Sequence, residues 1–309
     1  MKLKHVVSAT QFDTDTLRKL FNTASKIKNG NYPKKALNGK IMAAIFYEPS
    51  TRTRLSFEAA MQRLGGQVIS TENASQFSSA SKGETLEDTV RIISSYADVI
   101  VLRHFSPGAS DIASKFSSVP VINAGDGNGE HPTQALLDLF TIFGKFSKNG
   151  SLPPKFTVAM VGDLTNGRTI HSLSYLLSLY PKVKIIFVSP KALTAPNSLT
   201  SHLREKNIDF LETEDFKYAL KVADVVYQTR IQKERFKGKK DYKKYFGSFI
   251  LDNKTISLMK RNAAIMHPLP RVNEINPEID DDKRSIYFEQ AQNGLYIRMA
   301  LLLFLFDKA

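Results

Sequence analysis

Short apolar runs rich in valine and isoleucine recur along the chain, each followed by a stretch whose apolar residues return at helical spacing. Such runs, separated by helical segments, predict parallel strands joined by crossover helices. Strands are expected at residues 41–47, 67–71, 99–103 and 119–123 in the first half, and at 156–162, 183–189, 225–228 and 263–266 in the second. Residues 144–155, with Lys, Asn, Gly, Ser and two prolines, have the composition of a loop or linker. The pattern therefore predicts an α/β protein of two doubly wound parallel-sheet domains. In such folds ligands bind beyond the carboxyl ends of the strands, so chemistry is sought in the residues that follow each strand.

Composition supports this division. A chain of 309 residues is long for one hydrophobic core, and its 42% apolar content is ordinary for a globular protein. The formal charge of +13 is compatible with nucleic acid, a membrane surface or small anionic substrates, and does not choose among them. With no cysteine, disulfides, thiolate metal sites and a cysteine nucleophile are excluded. The six histidines show no zinc-like spacing, so no metal and no cofactor are expected. The first residues lack the apolar core of a signal peptide, and a cytoplasmic location is expected. Residues 299–306 form an apolar run far shorter than the roughly 20 needed to span a bilayer, and read as part of a buried terminal helix.

The polar residues at predicted strand ends are unusual. After the first strand comes Glu48-Pro49-Ser50-Thr51-Arg52-Thr53-Arg54, followed by Phe57, Ala60, Met61 and Leu64 at helical spacing. Ser50 is a favourable N-cap, and the amides of Thr51, Arg52 and Thr53 at the helix start, with two hydroxyls and two guanidinium groups, would form an anion cradle. The alternative is an ordinary capped helix with solvated arginines. A second strand ends at Arg103, and a third leads to His131-Pro132-Thr133-Gln134, where Pro132 suits the first turn of a helix. Alone, His131 would read as a capping or surface imidazole. Glycines 125, 127 and 129 are not in dinucleotide-binding register. The second half adds Gly162-Asp163 and Gly167-Arg168, Thr229-Arg230-Ile231-Gln232-Lys233-Glu234-Arg235, and His267-Pro268-Leu269-Pro270-Arg271.

The motifs Ser50-Thr51-Arg52-Thr53-Arg54 and His131-Pro132-Thr133-Gln134 resemble those of the aspartate/ornithine carbamoyltransferase family, and the resemblance extends over most of the chain. The second half resembles the aspartate branch. The ornithine branch typically has His-Cys-Leu-Pro where this chain has His267-Pro268-Leu269-Pro270, and residues 229–235 resemble an aspartate-binding segment. The resemblance implies transfer of a carbamoyl group from carbamoyl phosphate to L-aspartate, a step of pyrimidine biosynthesis. It also implies a carbamoyl phosphate-binding domain over residues 1–148, with a C-terminal helix at 290–309 packing back on it, an aspartate-binding domain over 149–289, and an active site between them. Ser50, Thr51, Arg52, Thr53, Arg103, His131 and Gln134 would hold carbamoyl phosphate. Arg168, Arg230 and Gln232 would hold aspartate, and the backbone of Pro268 and Leu269 would contact the carbamoyl and amino groups. Residues matching Ser78 and Lys82 come from a neighbouring subunit in the family, which implies a homotrimer. Two departures stand out: Ser81 replaces a frequent Lys, and Thr165-Asn166 replaces a frequent Lys-Tyr, so contacts favouring domain closure are expected to be missing there. Whether a regulatory chain attaches is not encoded in these motifs.

The chemistry fits these residue types. Carbamoyl phosphate and aspartate each carry about two negative charges near neutral pH, and Arg52, Arg103, Lys82, Arg168 and Arg230 supply five cations. Attack of a neutral amine builds negative charge on the carbamoyl oxygen, which Thr53, Arg103 and His131 are placed to stabilise, with Arg52 on the phosphate. Two other readings stand beside this one. The first is a carbamoyltransferase for another amine; the second is a nucleic-acid-binding α/β protein using the basic tract 235–244, which as a charge run reads more simply as a solvated loop.

Overall fold

The computed structural model describes residues 3–73, 83–231, 245 and 247–309. In chain order the main elements begin with α1 (Thr14–Lys28), β1 (Ile41–Phe46), α2 (Thr51–Arg63), β2 (Gln67–Glu72), α3 (Leu86–Ile93) and β3 (Val99–His104). Next come α4 (Ala109–Phe116), β4 (Val121–Asp126), α5 (Pro132–Phe146), β5 (Phe156–Val161), α6 (Arg168–Leu177) and β6 (Val183–Val188). The remainder are α7 (Asn197–Glu205), β7 (Asp209–Thr213), α8 (Phe216–Val222), β8 (Val225–Gln228), α9 (Asn253–Ile256), β9 (Ala264–Met266) and α10 (Tyr287–Leu305). The chain divides into two compact units, Met1–Phe140 with Gln292–Ala309, and Thr141–Ala291.

The first unit holds a four-stranded sheet in the order β2-β1-β3-β4, every pair parallel. Its inner strands are apolar without alternation because helices cover both faces. Ala43, Ile45, Tyr47, Ile100, Leu102 and Val121 pack with Val90 of α3 and Ala113 of α4 in one core cluster. The second unit holds a five-stranded parallel sheet in the order β7-β6-β5-β8-β9. There Ala159, Val161, Ile186, Val188, Val226 and Ile265 pack with Leu220 of α8, Ile256 of α9 and Tyr287. Among the described residues no helix is long and apolar enough to cross a membrane.

Each sheet reverses its direction of winding once. In the first unit the chain adds β2 on one side of β1 and β3 on the other, so the switch point lies between the carboxyl ends of β1 and β3. In the second it lies between β5 and β8. Among the described residues, the strand absent from the sequence expectation is β7, an edge strand whose residues are exposed or half-buried and whose apolar pair Phe210-Leu211 is too short to stand out. β4 begins two residues later than expected, after Pro120, which has no N–H for a ladder, and continues through Gly125 to Asp126. Gly144 lies within α5, so the expected loop starts only after Phe146.

Candidate active site

Helix α2 starts directly beyond β1, with Ser50 at the N-cap position. Contrary to the sequence expectation, the Ser50 side chain makes no capping hydrogen bond. The amides at the start of α2 are therefore not consumed by their own cap and remain suited to an anion. Arg52 and Thr51 are exposed there, Ser50 is half-buried and Thr53 is buried. The second guanidinium expected in the cradle is diverted. Arg54 lies 3.3 Å from Glu72 of β2 and 3.8 Å from Glu58 of its own helix, and ties α2 to the sheet edge.

Arg103 stands at the end of β3, paired in register with Phe46 of β1. The β3–β4 register shifts between Leu102 and His104, an irregularity that re-aims the side chain between them. Its guanidinium donates to the Ala124 carbonyl at 3.2 Å and lies 3.5 Å from the Glu48 carboxylate. The loop beyond β4 is held by carboxylates. Asp126 accepts from the amides of Gly108 (2.9 Å) and Glu130 (2.8 Å), and Glu130 accepts from Ser8 Oγ (2.6 Å) and the Ala9 amide (2.7 Å). Gly127 has φ of +50°, and a Cβ there would stand 2.5 Å from the Phe105 carbonyl oxygen, so the close approach requires glycine.

This loop delivers His131 to the start of α5, where its carbonyl accepts from the amides of Gln134 and Ala135. The imidazole is only 4% exposed, which rules out a surface histidine. Gln134 Nε2 donates to Asp138 Oδ1 at 2.9 Å, so the carbonyl end of its amide is turned away from that bond. Asp138 also opposes the desolvation of Arg298, a fully buried guanidinium of α10 that burial pushes down to about 10 and that stacks 5.0 Å from the Phe57 ring of α2. At neutral pH Arg298 stays charged, a buried cation beside a buried carboxylate.

In the second unit Gly162 directly follows β5 at φ of +124°, where a Cβ would meet the Thr229 carbonyl oxygen at 2.4 Å. The Thr229 amide and hydroxyl both donate to the Val161 carbonyl (2.8 and 2.9 Å), locking the ends of β5 and β8 together. Arg230 follows at once and is half-buried. Asp163, fully buried, accepts from the Asn166 amide at 3.0 Å and from its side chain, shaping the turn that places Arg168 as first residue of α6. Thr165 Oγ1 donates to the Thr194 carbonyl at 2.9 Å, so this Thr-Asn pair serves local turn structure. Beyond β9, the half-buried Pro268 and Leu269 follow His267, and Arg271 is bound through two nitrogens to Asp280.

The structure thus gathers Ser50, Thr51, Arg52, Thr53, Arg103, His131 and Gln134 at the carboxyl end of the first sheet, the first five residues flanking its switch point. Arg168 and Arg230 flank the switch point of the second sheet, with Pro268 and Leu269 beyond the adjacent β9. Gln232, Ser78, Lys82 and the whole of the basic tract 235–244 lie outside the described residues. Sequence reasoning missed Glu48, Asp138 and Glu274, the carboxylates that face or bind Arg103, Gln134 and His267. Among the described residues no group of three His, Cys, Asp or Glu is arranged to hold a metal ion.

Two open parallel sheets, each presenting arginines at its switch point, agree with the family that the comparisons identify. Residues 4–143 match the model of the aspartate/ornithine carbamoyltransferase carbamoyl-P binding domain, and residues 155–305 match the Asp/Orn binding domain of the same family. The chain belongs to the aspartate/ornithine carbamoyltransferase family. It is 51% identical to aspartate carbamoyltransferase 2, chloroplastic, of Pisum sativum, over 97% of this chain and 78% of that protein. Among solved structures it is similar to the catalytic subunit of M. jannaschii aspartate transcarbamoylase (TM-score 0.88, 47% identity, 99% of this chain and 98% of that one). It is also similar to Trypanosoma cruzi aspartate transcarbamoylase in complex with carbamoyl aspartate and phosphate (TM-score 0.90, 37% identity, 97% and 95% covered).

The two arginines of the α2 start should separate in stability measurements. Arg54→Ala is expected to lower unfolding free energy by about 1 kcal/mol, since it removes partly buried ion pairs. Arg52→Ala, at an exposed position, is expected to change it by less than about 0.5 kcal/mol. Urea unfolding of both variants checks this, and an equal loss would contradict the assignment of Arg54 to structure and Arg52 to the cradle.

Proposed function

We propose that this chain transfers the carbamoyl group of carbamoyl phosphate to the amino group of L-aspartate, releasing phosphate and N-carbamoyl-L-aspartate. The observation that carries the reading is the juxtaposition, at the first switch point, of an α2 start with unspent amides and Arg103 at the end of the neighbouring strand. The Trypanosoma cruzi relative solved with carbamoyl aspartate and phosphate supports the choice of reaction.

In this reading the phosphate sits on the amides and hydroxyls of residues 50–53, with Arg52 and Arg103 supplying charge. The carbamoyl oxygen takes hydrogen bonds from Thr53, Arg103 and His131, which strengthen as negative charge builds during attack. Gln134, its amide nitrogen held by Asp138, offers its carbonyl oxygen to the carbamoyl NH2. Arg168, Arg230 and Gln232 bind the two carboxylates of aspartate. Pro268 has no N–H, so its carbonyl and that of Leu269 are the acceptors for the attacking amine. The amine displaces phosphate directly, and the departing phosphate takes the proton, so no protein nucleophile or general base is assigned.

Purified protein should form carbamoyl aspartate from carbamoyl phosphate and aspartate, and little product with ornithine. Arg52→Ala is expected to reduce turnover on the order of 100-fold or more while the fold is retained. Arg230→Ala should raise the KM for aspartate far more than that for carbamoyl phosphate. Preference for ornithine, or full turnover in folded Arg52→Ala protein, would contradict the reading.

The reading extends to a cytoplasmic homotrimer in which Ser78 and Lys82 complete a neighbour's site. Lys82→Ala and Arg52→Ala trimers should each be nearly inactive, yet mixtures that exchange subunits should regain part of the activity. In mixed trimers some sites join an intact Arg52 to an intact Lys82 from the next chain. If hybrids verified by mass stay as inactive as the pure variants while wild-type subunits still contribute, Lys82 does not act across the interface.

A further inference from the structure

The segment after β9 is held by a hydrogen-bonded series that the transfer chemistry does not itself require. The His267 amide donates to Gln290 Oε1 at 2.8 Å, and the imidazole is 2% exposed. Its Nδ1 accepts from the Leu269 amide at 2.8 Å, so the ring proton belongs on Nε2, which donates to Glu274 Oε1 at 2.7 Å. Burial pushes the imidazole below its ordinary value, and Arg271 and Arg230 add to this against the opposing Glu274, which keeps the ring neutral. Burial would raise Glu274, but the hydrogen bond from His267 and those from the backbone hold it low, as a carboxylate. Its further donors are the amides of Val272 (3.3 Å) and Asn273 (3.1 Å).

Two consequences follow for residues 268 and 269. Leu269 lies at φ of +52°, a left-handed conformation costly for a residue with a side chain and sustained only where its surroundings enforce it. With the Leu269 N–H spent on His267 and none on Pro268, both residues present carbonyl oxygens as their backbone polar groups. The nitrogens of the reaction proposed above, the attacking amine and the carbamoyl NH2, are both donors and need such acceptors.

We propose that His267 and Glu274 are positioning residues for carbamoyl transfer: Glu274 fixes the tautomer and orientation of His267, which ties down the Leu269 amide so that the Pro268–Leu269 backbone offers acceptors to the reacting nitrogens. The inference rests on the carbamoyl-transfer reading, and wild-type turnover measured alongside separates the two.

Isosteric substitutions give opposite expectations for a positioning and a merely structural role. In His267→Asn, Oδ1 stands near the position of Nδ1 and can still accept from Leu269, but nothing reaches Glu274. In His267→Gln, Nε2 can still donate to Glu274, but the acceptor for Leu269 is lost. Positioning predicts that His267→Gln loses on the order of 100-fold in kcat, the scale expected from misplacing a reacting group. It also predicts that His267→Asn loses no more than about tenfold, and that the KM for carbamoyl phosphate moves little in either. If His267→Asn is equally or more impaired, the residue serves only to hydrogen-bond a buried carboxylate and the proposal falls. Should either variant not fold, imidazole nitrogen NMR of the wild-type protein decides: an Nε2–H tautomer with a hydrogen-bonded Nδ1 supports the proposal, and an Nδ1–H or doubly protonated ring overturns it. Absence of wild-type carbamoyl aspartate formation would instead overturn the reaction on which the proposal rests.

Discussion

A buried parallel sheet has no place for charge along its strands, and the reactants assigned here carry roughly four negative charges between them. The constraint that organises the rest is that this charge must be met where the strands end. Backbone amides at the start of α2 supply part of it at no cost in side-chain entropy, and the arginines of the strand and helix ends supply the remainder. Ser50 leaving its own helix uncapped is then intelligible: a hydroxyl capping the helix would spend amides that an anion can use.

Cations gathered in advance of their ligand repel one another, and carboxylates hold them in place. Glu48 faces Arg103, Asp280 binds Arg271 and Asp138 opposes the desolvation of Arg298. For the buried Asp138 and Arg298 removing one partner is costly, because the charge left behind has no water to solvate it, whereas Glu48 and Asp280 are partly exposed and the cost there is smaller. The same carboxylates orient neutral groups: Asp138 sets the direction of the Gln134 amide, and Glu274 the tautomer of His267. The residues proposed to touch substrate thus stand on a second layer that holds and orients them, as preorganised sites require.

Most of the described fold was legible because a parallel strand buried on both faces is written as a largely apolar run, as in β1, β3, β5, β6, β8 and β9, whereas the exposed edge strand β2 has only Val68-Ile69. β7 was not legible, since an edge strand needs to bury little and Asp209–Thr213 sets only Phe210-Leu211 between the charged Asp209 and Glu212. The strand-end motifs marked where hydroxyl and basic residues gather at the sheet ends, but not how each side chain is used. Arg52 and Arg54 look equivalent in sequence, and only the approach of β2 with Glu72 assigns Arg54 to structure. The supporting carboxylates were invisible because nothing local pairs Glu48 with a residue 55 positions away. Glu274 lies only seven residues from His267, yet on a turn whose path no hydrophobic period encodes.

All the catalytic power assigned to this protein comes from holding two anions and stabilising charge on the carbamoyl oxygen, with no covalent carbamoyl-enzyme. Rapid quenching of the first turnovers at high enzyme concentration tests that claim most directly, with phosphate counted by phosphorus NMR against carbamoyl aspartate counted by carbon NMR of labelled substrate. Direct transfer predicts one phosphate per carbamoyl aspartate from the outset, and none above the solution rate when aspartate is withheld. A burst of phosphate without aspartate, stoichiometric with enzyme, would contradict it and require a nucleophile on the protein.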